Sequence, residues 1–140
     1  MAFPKAPLEE LIHGPVTADP VVRAPDADLI YGVSVVGDGG RIADKRLLAA
    51  LRWRPGVRLD VAVAVGGTVT VTPRSDGQAI VTREGYFRIP YRQRRVACLF
   101  VGDQVLLLGH RGTGRLVVHP RATLDELCAA SVNLAGAVRP

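Results

Sequence analysis

Acid is scarce through most of this chain. Of its 13 acidic residues, six (Glu9, Glu10, Asp19, Asp26, Asp28 and Asp38) fall in residues 1–38, against Lys5 and Arg23, a net of −4. The rest of the chain carries seven acids against 16 bases, a net of +9. Cysteine is nearly absent: Cys98 and Cys128 lie far apart and fit no metal or redox spacing, which excludes a disulfide framework and points to reduced thiols in a cytoplasmic protein. No apolar run approaches the roughly 20 residues that span a bilayer. The first residues lack a basic segment followed by an apolar one, so no secretory signal is expected. The histidines, His13, His110 and His119, show no metal-ligand spacing with one another or with the cysteines. Gly109–Gly114 is glycine-rich but has neither the Lys-Ser/Thr of a phosphate loop nor the order of a dinucleotide fingerprint. Ser34, Ser75 and Ser131 lack a nucleophile-elbow context. Asp103, after Gly102, is a turn residue rather than a catalytic acid. Nothing here argues for an enzyme, a cofactor or a metal.

What is present is arginine. Sixteen of the 18 bases are Arg, the side chain suited to bidentate phosphate and guanine contacts, so a polyanionic partner is favoured. At 140 residues, with 48% apolar composition, the chain reads as one domain with an arm. Residues 1–28 are an acidic Pro-rich arm, punctuated by Pro15, Pro20 and Pro25, with at most one helical turn over Leu8–His13. It reads as an unstructured terminus, or as an acidic arm that lies over the basic surface or contacts a partner. Residues 29–120 form the folded body and 121–140 a C-terminal helix and tail.

Within the body, Leu29–Val36 reads as a strand and Asp38-Gly39-Gly40 as a turn. Asp44 caps a short helix through Leu51, with Leu47, Leu48 and Leu51 on one face. Trp53 and Pro55-Gly56 end that unit. Leu59–Val65 and Thr68–Thr72 form a hairpin about Gly66-Gly67, followed by a loop over Pro73–Gly77. Tyr86–Ile89 is a short strand, Pro90 opens a basic helical turn over Tyr91–Cys98, Gly102-Asp103 turns, and Gln104–Leu108 is a buried strand. Thr123 reads as the cap of a last helix through Leu134, packed on the body, with a partner-binding helix as the alternative, and Gly136 as its stop. Tyr86, Phe87 and Tyr91 suit core or rim packing, with base stacking as the alternative.

The second half repeats the first. At an offset of 46, Val33 and Val35 fall on Ala79 and Val81, Asp38-Gly39 on Glu84-Gly85, Asp44 on Pro90, Trp53 on Leu99 and Gly56 on Gly102. Past the hairpin tip the offset becomes 47, Val69 and Val71 meeting Leu116 and Val118. The repeats span 33–73 and 79–120.

The second copy resembles the AbrB/MazE/SpoVT family of swapped-hairpin DNA-binding domains. The resemblance rests on Gly85-Tyr86-Phe87-Arg88-Ile89-Pro90, then Arg94-Arg95, Leu99 and Gly102-Asp103. The first copy keeps Gly40-Arg41-Ile42 and the Trp53-x-Pro-Gly56 turn, and departs at Asp44 and Leu48-Ala49. The resemblance, over about residues 33–120, implies a mainly β (α+β) fold. Two βαββ repeats would exchange hairpins into a small β-barrel, both carried by one chain as in tandem MraZ-like relatives. It also implies double-stranded DNA binding in transcription regulation, in a cytoplasmic, nucleoid-associated setting. The DNA-contacting residues carried over are Arg94 and Arg95, then Arg88 and Arg92, and from the first copy Arg41, Lys45 and Arg46. A homo-oligomer and a toxin partner are compatible with it. The alternatives are an antitoxin of a toxin–antitoxin pair and a protein-interaction module on the same fold. Leu47 and Leu48 stand where the second copy has Gln93 and Arg94, so the first copy is expected to turn its helix toward packing or self-association.

Overall fold

The computed structural model describes residues 24–137. Residues 1–23 of the Pro-rich arm, with the Leu8–His13 turn and His13, lie outside the described residues. The chain enters through a turn in which the Leu29 N–H donates to the Asp26 carbonyl at 3.2 Å and the Asp28 carbonyl accepts from the Arg111 N–H at 2.8 Å. It then runs β1 (Leu29–Val35), a 3-10 turn (Asp38–Gly40), β2 (Arg41–Ala43), α1 (Lys45–Ala50), β3 (Arg58–Val63), β4 (Val69–Pro73), β5 (Ala79–Ile80), β6 (Tyr86–Arg88), α2 (Tyr91–Val96), β7 (Gln104–His110), β8 (Arg115–His119) and α3 (Arg121–Ala137).

The fold is α+β and mainly β. Six strands form one antiparallel sheet in the order β1-β7-β8-β4-β3-β5, and β2 with β6 make a separate two-stranded ribbon. Each half's hairpin pairs with the other half's first strand: β7–β8 takes β1 and β3–β4 takes β5. The expected barrel is not closed. β1 and β5 end the sheet and do not pair with each other, because β5 offers only two residues to a ladder that β1 fills with seven.

An approximate twofold relates the halves. Its axis passes between Thr70 and Val117, which face each other across β4–β8, and between Ile42 and Phe87, which face each other across the ribbon. Equivalent bonds repeat. The Gly102 N–H donates to the Val36 carbonyl at 2.8 Å, and the Gly56 N–H donates to the Val81 carbonyl at 2.8 Å. These bonds correct the sequence register. Val36, not Val35, matches Val81, so the first strands are offset by one residue less than the helices. A one-residue slip reverses every side chain in a strand: Val33 and Val35 are exposed, whereas Ala79 and Val81 are buried. The extra residue of the second copy is Ile89, fully buried between β6 and α2.

The core fills the space between sheet and ribbon with Leu59, Val61, Val69, Val71, Val105, Leu107, Leu116 and Val118 from the sheet and Ile42 and Phe87 from the ribbon. Trp53 meets Phe87 edge to face at 6.1 Å. Burying such side chains contributes about 1.5–3 kcal/mol each. Leu47 and Leu48 are buried in this core, so their role is packing within the chain and not self-association. Asp44 caps α1 as expected, its Oδ1 accepting the Leu47 N–H at 3.0 Å. Pro90 stands at the cap position of α2 rather than in its first turn.

Three expectations for the last helix are corrected. α3 starts directly after Pro120, whose carbonyl accepts the Leu124 N–H at 2.9 Å, and Thr123 lies inside the first turn. It runs through Gly136, and a side chain there would meet nothing, so no backbone constraint stops the helix at this glycine. Nor does α3 pack along the sheet: only Thr123 and Leu124 are half-buried, and every residue from Asp125 to Leu134 is exposed. Among the described residues, no helix is long and apolar enough to cross a membrane.

Candidate nucleic-acid interface

The ribbon is too short to be a sheet of its own and is held by its inward pair, Ile42 and Phe87. Alternation then sends Arg41, Ala43, Tyr86 and Arg88 outward. Antiparallel register sets Arg41 directly opposite Arg88, and Ala43 opposite Tyr86. Like charges so placed destabilise a strand pair. Here both guanidinium groups lie over the Tyr86 ring, Arg41 at 5.4 Å and Arg88 at 5.0 Å from its centroid. The ring face offsets part of the repulsion. Arg88 Nε also donates to the Asp38 carbonyl at 3.4 Å.

The glycine turn before β2 makes room for these side chains. Gly39, at φ 68°, would place a Cβ 2.9 Å from Arg88 Nε; Gly40, at φ 85°, would place one 2.6 Å from Arg94 Nε and against the Ile89 carbonyl. Any other residue would lose both the left-handed backbone and the passage for an arginine.

The seven expected contact residues separate into three kinds. Arg41, Arg88 and Lys45 gather at the ribbon, the Lys45 methylenes lying against Gly85 at its far end. Arg92 and Arg95 are exposed on α2, Arg95 over the Tyr91 ring at 5.9 Å. Arg94 and Arg46 are already engaged. Half-buried Arg94 donates from Nε to the Ile89 carbonyl at 2.9 Å and lies over Tyr91 at 5.4 Å. Arg46 donates to the Tyr31 carbonyl at 2.9 Å on the open edge of β1. Among the described residues, the ion pairs are Arg74 with Asp60 and Asp76 and Arg121 with Asp125, and none involves these seven.

Two features escaped the sequence. The first is Tyr86 as a platform for two arginines; its half-exposed place opposite Ala43 follows only from the ribbon register. The second is an apolar patch on the second copy. Tyr91, Val96, Phe100 and Val101 are 63%, 67%, 64% and 51% exposed, and a cleft of about 520 Å³ opens between Tyr91, Arg94, Arg95, Leu99, Phe100 and Val101. The same repeat positions in the first copy hold Lys45, Ala50, Arg54 and Pro55.

Other titratable groups lie apart. His110 accepts the Thr113 N–H at its Nδ1 and serves a turn. His119 sits at the end of β8 with a buried Nδ1 that has no partner, and burial lowers its pKa from the ordinary value. Both thiols are exposed. Among the described residues, no group of three or more His, Cys, Asp or Glu side chains is placed to hold a metal ion. The basic face can neutralise and orient anions; it offers no paired acid and base. No protein-family model, curated protein or solved structure matches this chain.

Proposed function

We propose that the chain is a double-stranded DNA-binding transcriptional regulator that sets its ribbon and α2 on duplex phosphates. The observation that carries this reading is the Arg41–Arg88 pair: two arginines face each other on a rigid ribbon with no acid partner among the described residues. Such a pair is costly alone and relieved by an anion between or above it. Lys45, Arg92 and Arg95 extend the charge to either side. Phosphate contacts fix the register, and guanidinium forks held on strands supply limited base readout. The resemblance to swapped-hairpin DNA-binding domains supports the same reading, as does the exchange of first strands between halves, although the sheet here stays open.

The test is fluorescence anisotropy with duplex DNA across a salt series, wild type beside Arg41→Ala/Arg88→Ala. Each lost phosphate contact lowers the salt slope by about 0.9, so the double variant is expected to bind more weakly with a slope shallower by about 2. A folded wild type that binds no duplex at low salt overturns the proposal.

A second reading has its own observation. The exposed Tyr91, Val96, Phe100 and Val101 patch favours a protein partner, as in an antitoxin or an interaction module. Val96→Asp would then abolish capture of that partner and leave duplex binding unchanged.

A further inference from the structure

The basic surface has a direction. The ribbon register sets Arg41 opposite Arg88 at one end and Ala43 opposite Tyr86 at the other. The internal twofold, passing between Ile42 and Phe87, exchanges these ends, so it carries Arg41 onto Tyr86 and Ala43 onto Arg88. Neither arginine has an arginine as its counterpart. The remaining charge follows the same bias. Arg94 joins the Arg41–Arg88 end through the glycine turn, lying against Gly40, and Arg88 bonds the Asp38 carbonyl of that turn. Residues 38–41 and 88–96, which make up this end, carry five arginines against Asp38 alone, a net of +4. Their twofold counterparts, residues 83–86 and 43–50, carry three bases against two acids, a net of +1. Of those three bases, Arg46 is already bonded to the Tyr31 carbonyl.

We propose, on the reading that the ribbon and α2 bind duplex DNA, that one chain recognises an asymmetric site. The duplex is held by the Arg41–Arg88 end and α2, and the twofold of the protein coincides with no dyad of the DNA. Spacing supports this. The two ends of the ribbon are three residues apart, about 10 Å. Half-sites related by a dyad on one face of a duplex lie roughly 34–36 Å apart. One chain therefore covers a single half-site. Phosphate contacts set its register, and most of them come from one end, with Lys45 extending them on the other side. A site read this way has a left and a right, because Arg41 and Arg88 meet one flank while Ala43 and Tyr86 meet the other.

The experiment neutralises an acid at each end and leaves every arginine in place. Asp38 and Glu84 are both exposed, one at either end, and among the described residues neither takes part in an ion pair. The Debye length in 0.1 M salt is about 10 Å, so at that salt each acid reports chiefly on its own end. By fluorescence anisotropy on the full chain, Asp38→Asn is expected to tighten duplex binding about threefold and Glu84→Gln to change it by less than about 1.5-fold. Trp53 fluorescence is the fold control for both. Selection from randomised duplexes is expected to return a motif without a dyad, bound by one chain. Equal tightening by the two variants, or a palindromic motif, overturns the asymmetric site and leaves duplex binding standing. A folded wild type that binds no duplex overturns both.

Discussion

Leu48 and Arg94 occupy the same position of the two repeats. The Leu48 carbonyl accepts the Trp53 N–H and the Arg94 carbonyl accepts the Leu99 N–H, both at 2.9 Å, at matching helix ends. Leu48 is buried, and Arg94 fills the corresponding half-buried place by lying over Gly40 and bonding the Ile89 carbonyl. The arginine that the sequence ranks first for DNA contact is therefore also a packing residue. Arg94→Ala is expected to cost about 1.5 kcal/mol through lost packing and a lost charged hydrogen bond. Arg94→Leu, which restores the residue type of the first copy, is expected to lose less. Urea unfolding followed by the fluorescence of Trp53, the chain's one tryptophan, measures both.

The Arg41–Arg88 repulsion has a signature without any ligand. Added salt is expected to raise stability by about 0.5 kcal/mol as it screens the pair. Arg88→Gln is expected to flatten that dependence. Urea midpoints at low and moderate salt decide it: equal slopes for wild type and variant would show that Tyr86 already neutralises the pair.

Arg52 and Cys98 end α1 and α2 at φ 61° and 53°, backbone angles that glycine adopts without strain. Each costs about 1 kcal/mol. Arg52→Gly and Cys98→Gly are each expected to raise stability by about that amount, and together by about the sum, since they lie in separate halves. A thermal shift for neither variant would mean the strain is relieved elsewhere.

His119 gives a pH dependence. Burial lowers its pKa in the folded chain, so the unfolded chain binds the proton more readily. Its contribution to stability is complete above the unfolded value, about 6.5. It declines as pH falls from there toward the lower folded value. His119→Gln is expected to lose this decline, seen as a smaller drop in melting temperature between pH 7.5 and pH 5.5.

Much of this architecture was written locally. Asp44 announces a helix start by its own side chain, the hairpins by glycine, and the strands by alternation, so the βαββ order and its repetition are legible residue by residue. What is not legible depends on partners distant in sequence. β2 and β5 are too short for any pattern, and they exist because Phe87 and Leu59 stand opposite them. The repeat register slipped because Ile89 adds a residue where the matched positions are all apolar or basic in both copies. The contact residues were found by type, but which arginines are free could not be: Arg46 and Arg94 are held by the carbonyls of Tyr31 and Ile89, bonds that no local spacing encodes. The C-terminal helix was foreseen and its surroundings were not, since an apolar face in sequence does not say whether the chain itself will cover it.

The twofold within the chain has a consequence for how this molecule can change. In an assembly of identical subunits every substitution is made twice, once on each side of the axis. Here a codon alters one side alone. Leucine on one side of the axis can face arginine on the other, Asp44 can face Pro90, and one flank can become greasy while its counterpart stays polar. The fold inherits the geometry of a symmetric pair without the obligation to present the same surface twice.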